Sequence, residues 1–84
     1  MLLSVENIGA SEVEIICDEE GIDFLIARLR KLKKHAAKGE HDHLMTPSWS
    51  GWELSEKKQN ENAELVNHLC VRIVPSHAAE VEKL

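Results

Sequence analysis

The chain has 84 residues, of which 43% are hydrophobic and 30% charged, and its formal net charge is −5. This length predicts one domain over residues 1–84 with one modest core, because a chain this short buries only about 60–65% of the surface that its unfolded form exposes. The acidic balance argues against nucleic acid as a partner, since phosphate contacts need clustered Lys and Arg. A homodimer is one way for such a chain to bury more apolar surface.

Polar residues interrupt every apolar run. The chain turns polar at Ser4 and Glu6, so the apolar region of a secretory signal does not develop. No stretch approaches the roughly 18 apolar residues of a membrane span. Cys17 and Cys70 each lie inside an apolar run, which is typical of buried free thiols in a reducing compartment. We therefore expect a cytoplasmic protein without a membrane partner.

The first third of the chain predicts a β-hairpin. Residues 2–8 are typical of a short strand, and the Gly-containing stretch 9–11 of a turn. Residues 12–17 alternate between apolar and acidic side chains over most of their length, which is the period of a strand with one buried face. The side chains expected on that buried face are those of Val13, Ile15 and Cys17.

A helix over 19–37 is the strongest pattern in the sequence. Asp18 is a suitable N-cap, and acids in the next turn favour the positive end of a helix. Gly39 can end the helix as the residue beyond its last turn. Arg28, Lys31 and Lys34 are expected on other faces than the core. The apolar residues that share one helical stripe are Ile22, Leu25, Ile26, Leu29, Leu32 and Ala36.

The remaining elements predict further strands. Residues 41–46 form a candidate strand, 48–52 a loop or turn, and 53–54 the start of another strand. The β-branched segment 64–74 predicts a central strand, and 75–84 a weakly ordered tail. Together the elements predict an α+β, two-layer domain, in which one main helix packs on one face of a mostly antiparallel sheet of four to five strands.

Two histidines raise the question of a metal. On a strand, His41 and His43 point to the same side, where two imidazoles can chelate one ion. A structural site needs three or four ligands, and the sequence fixes no third. No metal or cofactor is therefore expected, and a metal-binding protein or metal-dependent enzyme built on this pair stays the alternative. Candidates for the third ligand are His35, Glu53, His68 and Cys70.

Nucleophilic catalysis finds little support in the sequence. No nucleophile elbow, Gly-rich phosphate loop or C-x-x-C motif is present. We therefore predict that the chain is not an enzyme.

Trp49 and Trp52 lie in a Ser/Gly-rich loop after Pro47. Tryptophan most often packs into a core, but rigid aromatic side chains on a surface loop are also typical of protein–protein hot spots. Core and interface therefore both remain open. Of the two residues, Trp49 is the better candidate for the core and Trp52 for the surface.

The run from His41 to Glu56, HDHLMTPSWSGWELSE, resembles the signature of immunity protein family thirty-two from bacterial polymorphic-toxin gene clusters. That signature combines an H-x-H-L-M-T-P-S-W segment, a Gly-containing turn and an E-L-S-E stretch. A helix precedes it, and an L-x-N-H-L strand follows, matched here by residues 65–69. One departure is Ser50, where the family turn has Gly.

The resemblance implies an α+β immunity protein that neutralises a cognate toxin by direct binding. Many toxins countered in this way are nucleases, whose basic active sites would be attracted to an acidic face. No catalytic residue is expected. The residues predicted to contact the toxin are Glu12, Glu14, Asp42, Trp52 and Glu53.

Overall fold

The computed structural model describes residues 1–76, and its elements confirm the predicted α+β class. The predicted tail lies outside the described residues from position 77 onward. The elements in chain order are β1 (Leu3–Gly9), β2 (Glu12–Cys17), α1 (Glu19–Lys33), β3 (Glu40–Met45), a 3-10 turn (Pro47–Trp49), β4 (Glu64–Leu65) and β5 (His68–Ile73).

All strand pairs among the described residues are antiparallel, and they form two sheets. The first sheet has the order β2-β1-β4, and the second is the pair β3-β5. The predicted hairpin is confirmed, with Leu3 opposite Cys17 and Val5 opposite Ile15. The segment after the tryptophans joins the sheets, since Leu54 donates its N–H to the carbonyl of Met45 and Ser55 donates to that of Leu3. Residues 53–54 therefore link the sheets but do not start a strand, contrary to prediction.

The helix begins where predicted and ends one turn earlier. The side chain of Asp18 accepts the N–H of Gly21 at 2.7 Å, and this hydrogen bond lowers the pKa of Asp18. After Lys33 the chain continues in single turns, in which His35 donates its N–H to the carbonyl three residues before it. Gly39 then leaves this segment with a φ of +71°, a conformation that favours glycine.

Only part of the predicted apolar stripe faces inward. Leu32 is buried and Leu25 packs against the core, but Ile22, Ile26 and Leu29 are exposed. The core cluster itself is made by four residues from both sheets and from the linking segment, namely Leu3, Val5, Leu44 and Leu54. The helix is therefore turned so that one apolar flank remains uncovered among the described residues.

Three burial predictions for the strands are wrong. The segment 64–74 is not one central strand, because it divides into β4 and β5, and β5 alternates between exposed and half-buried side chains. Cys70 lies on the exposed face, whereas Cys17 is half-buried. On β2, Val13 and Ile15 keep 62% and 44% of their surface exposed. Of the three side chains expected to be buried there, only that of Cys17 packs against the core.

Candidate protein-binding site

The loop after β3 carries both tryptophans, and we call residues 46–54 the tryptophan loop. Its first half is fixed by Thr46, which is completely buried. The carbonyl of Thr46 accepts the N–H groups of Trp49 and Gly51 at 2.9 and 3.0 Å. Its hydroxyl donates to the side-chain oxygen of Asn67 at 2.7 Å. These bonds tie a tight turn to the segment that joins β4 to β5.

The carboxylates of Glu53 and Glu56 add hydrogen bonds to backbone N–H groups in and beside the loop. The carboxylate of Glu53 accepts the N–H of Met45 at 2.9 Å and, more weakly, that of Trp52 at 3.4 Å. Burial raises the pKa of Glu53, but hydrogen bonds from backbone N–H groups outweigh it and leave this pKa below its usual value. The carboxylate of Glu56 accepts the N–H of Ser48 at 2.6 Å. The loop is therefore held from both ends before any partner arrives.

Ser50 is the only non-glycine residue with positive φ in the described chain, at 68°. A left-handed conformation costs an L-residue about 1–2 kcal/mol, whereas glycine adopts it freely at some cost in unfolded-state entropy. We expect Ser50→Gly to stabilise the fold by about 0.5 kcal/mol, or roughly 2–4 °C in Tm. Thermal unfolding followed by circular dichroism measures this shift.

Ser48→Gly is the matched control for Ser50→Gly. Ser48 lies in the same loop, inside the 3-10 turn, and its φ is not positive. We expect this change to lower the stability, because it adds chain entropy to the unfolded state and removes the Ser48 hydroxyl that hydrogen-bonds to Glu56. Equal effects of the two substitutions would contradict the assignment of strain to Ser50.

Both tryptophans are exposed, so Trp49, the better candidate of the two for the core, does not belong to it. Trp49 keeps 54% and Trp52 65% of its surface exposed. The ring of Trp52 packs edge-on against Phe24 of α1, with 5.2 Å between ring centroids. Trp49 lies 6.1 Å from the ring of His68. Large aromatic surfaces on a rigid backbone suit protein recognition, because little entropy is lost when a partner covers them.

Arg28 links the helix to the two predicted contact acids near the loop. Its guanidinium donates to both oxygens of Asp42 at 2.7 and 2.6 Å and lies 3.9 Å from Glu53. The Asp42 side chain is 24% exposed and that of Glu53 is 12% exposed. Hydrogen bonding by Arg28 lowers the pKa of Asp42, against a smaller opposing effect of burial. Both carboxylates therefore serve the fold, and their role in contacting a partner stays a prediction.

Arg28 was predicted to lie on a face of α1 away from the core, but its guanidinium is turned towards β3 and Phe24. The guanidinium lies over the ring of Phe24, at 5.4 Å from its centroid. Phe24 in turn supports Trp52. Residue-type patterns gave no sign of this stack, since an arginine among helical bases is usually solvated.

The other two predicted contact residues, Glu12 and Glu14, lie on β2 and not in the tryptophan loop. Both are exposed. Glu14 accepts a hydrogen bond from the side-chain amide of Asn60 at 2.9 Å, and among the described residues Glu12 accepts none. The four predicted contact acids therefore do not form one cluster, since two lie on β2 and two lie beside Arg28.

Three histidines gather on the outer face of the β3–β5 pair. A ring nitrogen of His43 lies 2.7 Å from one of His68, so one ring donates a hydrogen bond to the other. The rings of His41 and His43 are 4.7 Å apart between centroids. Within residues 1–76, no three His, Cys, Asp or Glu side chains are placed to hold a metal ion. The observed role of His43 is thus a contact between strands.

The fold and the loop define a small α+β protein with a preformed aromatic surface. The family model described as Immunity protein 32 matches residues 12–70. The chain therefore belongs to the Immunity protein 32 family. Searches of curated proteins and of solved structures each gave no match. In the described part of the chain, no helix is long and apolar enough to cross a membrane.

Proposed function

We propose that this protein neutralises a cognate toxin by binding it directly, with Trp52 near the centre of the contact. The family match over residues 12–70 carries the proposal of immunity. The exposure of Trp52 on a loop fixed at both ends supports its place in the contact. Binding alone suffices for neutralisation, so the protein acts without catalysis.

The charge of the chain supports a basic partner. A net charge of −5 attracts a positively charged surface and speeds its association. A nuclease toxin, which must bind phosphates, presents such a surface. The complex would form in the cytoplasm of the bacterium that makes both proteins, before the toxin reaches its own target.

A pull-down of the tagged protein from the producing bacterium, with mass spectrometry of the captured proteins, tests the proposal. We expect one toxin domain to be captured, and its co-expression with this protein to restore growth of a sensitive host. Failure to capture any toxin, or growth arrest that this protein does not relieve, would contradict the proposed function.

Trp52→Ala tests the contact surface. Loss of a tryptophan at an interface centre costs about 2 kcal/mol or more, which is roughly a 30-fold weaker Kd. We expect this loss in calorimetric titration with the captured toxin domain. The fold should survive, because most of the Trp52 side chain is exposed.

Ile26→Ala is the matched control for Trp52→Ala. It removes a large apolar side chain, 39% exposed, from the side of α1 opposite Phe24, the residue that contacts Trp52. An unchanged Kd for Ile26→Ala, together with a weaker one for Trp52→Ala, would support the loop as the contact. Equal effects of the two substitutions would contradict it.

A further inference from the structure

The strand β2 forms an open edge of the three-stranded sheet. The sheet order is β2-β1-β4, and no strand of the described residues pairs with the outer side of β2. On β1, the carbonyls of Leu3 and Val5 accept the N–H groups of Ser55 and Val66, so these carbonyls point away from β2. In an antiparallel pair, two directly opposite residues either bond to each other or both direct their backbone groups away from each other. The β2 residues opposite Leu3 and Val5 therefore direct their N–H and carbonyl groups away from β1.

Three residues of β2 therefore direct their backbone N–H and carbonyl groups to the open side of the strand. They are the residues paired with Leu3, Val5 and Asn7, namely Cys17, Ile15 and Val13. Within residues 1–76, no other strand pairs with their N–H and carbonyl groups, so these groups can form hydrogen bonds with a further strand. An edge of this kind is a template for a further strand. Strand addition to such an edge is a common mode of peptide recognition.

The two faces of β2 have different chemistry. Alternation places Glu12 and Glu14 on one face, and both are exposed. Val13 and Ile15 lie on the other face, with 62% and 44% of their surface exposed. A partner strand would meet carboxylates on one side of the sheet and aliphatic side chains on the other.

The acids disfavour a second copy of this chain as the partner. Antiparallel pairing of Val13 with Ile15 of another copy places Glu14 directly opposite the same residue of that copy. Pairing Ile15 with itself places Glu12 opposite Asp18. Like charges in directly opposite positions destabilise strand pairing. The edge is thus protected against self-association but open to a strand that carries positive charge.

We propose that β2 accepts an extended segment of the cognate toxin in which basic and apolar residues alternate. The basic side chains lie beside Glu12 and Glu14, and the apolar ones cover Val13 and Ile15. This proposal rests on the proposed function for the identity of the partner. The recognition chemistry itself rests on the open edge and its two faces.

A short synthetic peptide in which lysine and valine alternate is the direct probe. We expect it to bind the full chain at low salt and to slow hydrogen exchange at the N–H groups of Val13 and Ile15 by about tenfold or more. The corresponding peptide of alternating glutamate and valine should give no protection. Raising the ionic strength should weaken binding, because the paired charges are exposed.

Two variants distinguish the contribution of backbone hydrogen bonds to peptide binding from the contribution of the acidic side chains. Val13→Pro removes an outward N–H without removing a bond between β1 and β2, so the hairpin should persist while peptide binding falls about tenfold or more. Glu12→Lys should weaken binding by a similar factor, which corresponds to about 1.4 kcal/mol. Asp23→Lys makes the same change of charge on an exposed position of α1 and should alter the Kd less than about twofold.

Several results would overturn the proposal. These are equal binding of both peptides, protection at other amides, or the same amides protected by self-association without peptide. If the toxin domain is captured equally by wild type and Val13→Pro, the proposed function stands and the role of β2 fails. If the peptide binds β2 but no toxin is captured, the edge recognises basic strands and the proposed function fails.

Discussion

Replacing Glu6 by Gln is expected to lower the free energy of unfolding by about 3 kcal/mol at pH 7, which is a large share of the stability of a small domain. Glu6 is completely buried on β1. Its carboxylate accepts the N–H groups of Gln59 and Asn60 at 2.8 and 3.0 Å and the side-chain amide of Asn60 at 3.1 Å. Ser4 donates its hydroxyl to the same group.

The expected loss follows from the number of donors. A carboxylate only accepts, so it satisfies all four groups at once. A glutamine places an NH2 against donors and leaves at least one of them buried without a partner. The bonds to Glu6 tie residues 59 and 60 to β1. The segment that contains these two residues should therefore also lose its attachment to the sheet.

The loss of stability caused by Glu6→Gln should become smaller as the pH falls. Burial raises the pKa of Glu6, but the hydrogen bonds from Ser4, Gln59 and Asn60 outweigh it and hold this pKa at about 2, below the ordinary 4.5. A carboxyl with a lowered pKa stabilises the fold fully above the unfolded pKa and loses this effect as the pH falls through the folded pKa. The gap between wild type and Glu6→Gln should therefore narrow from pH 5 towards pH 2.

Urea unfolding of both proteins at pH 7 and pH 3 measures this gap. Glu14→Gln is the matched control, because Glu14 is opposite Glu6 on β2 but is exposed and accepts one hydrogen bond. We expect it to cost about 0.5 kcal/mol or less. An equal deficit of Glu6→Gln at both pH values would show that the charge of Glu6 is not the cause.

Local signals predicted the elements of this fold well. The alternation in residues 12–17 and the cap at Asp18 depend on neighbours in the chain, and the structure has the hairpin and the helix start in those places. The resemblance of the run 41–56 predicted the family, which the match over residues 12–70 confirms.

Burial was predicted less well, because it depends on which elements cover each other. Cys70 and Trp49 are apolar residues left exposed where no described element lies over them. Arg28 and Glu6 are charged residues drawn inward by partners far away in sequence, Asp42 and Asn60. The periodic pattern of apolar residues within one element carries no information about pairs between distant elements. The sequence therefore does not predict the hydrogen bonds and ion pairs around the tryptophan loop.

Replacing Gly51 by Ala is expected to destabilise the fold by about 2–4 kcal/mol and to disturb the tryptophan loop. A Cβ at this position would lie 2.5 Å from the carbonyl oxygen and 2.6 Å from the Cβ of Met45. The φ of Gly51 is not positive, so the restriction is one of space alone. Most of the obstructing atoms belong to the backbone, and relief therefore requires the loop to move away from the end of β3.

That movement should also weaken toxin binding, because it would strain the bonds by which Thr46 and Glu53 fix the loop. Thermal unfolding and calorimetric titration of Gly51→Ala with the captured toxin domain measure the two effects. Ser50→Gly, one residue earlier, is the control, since it should stabilise the fold and leave the Kd unchanged. A stable Gly51→Ala protein with wild-type affinity would mean that the tryptophan loop adapts to its partner and is not held in its bound form beforehand.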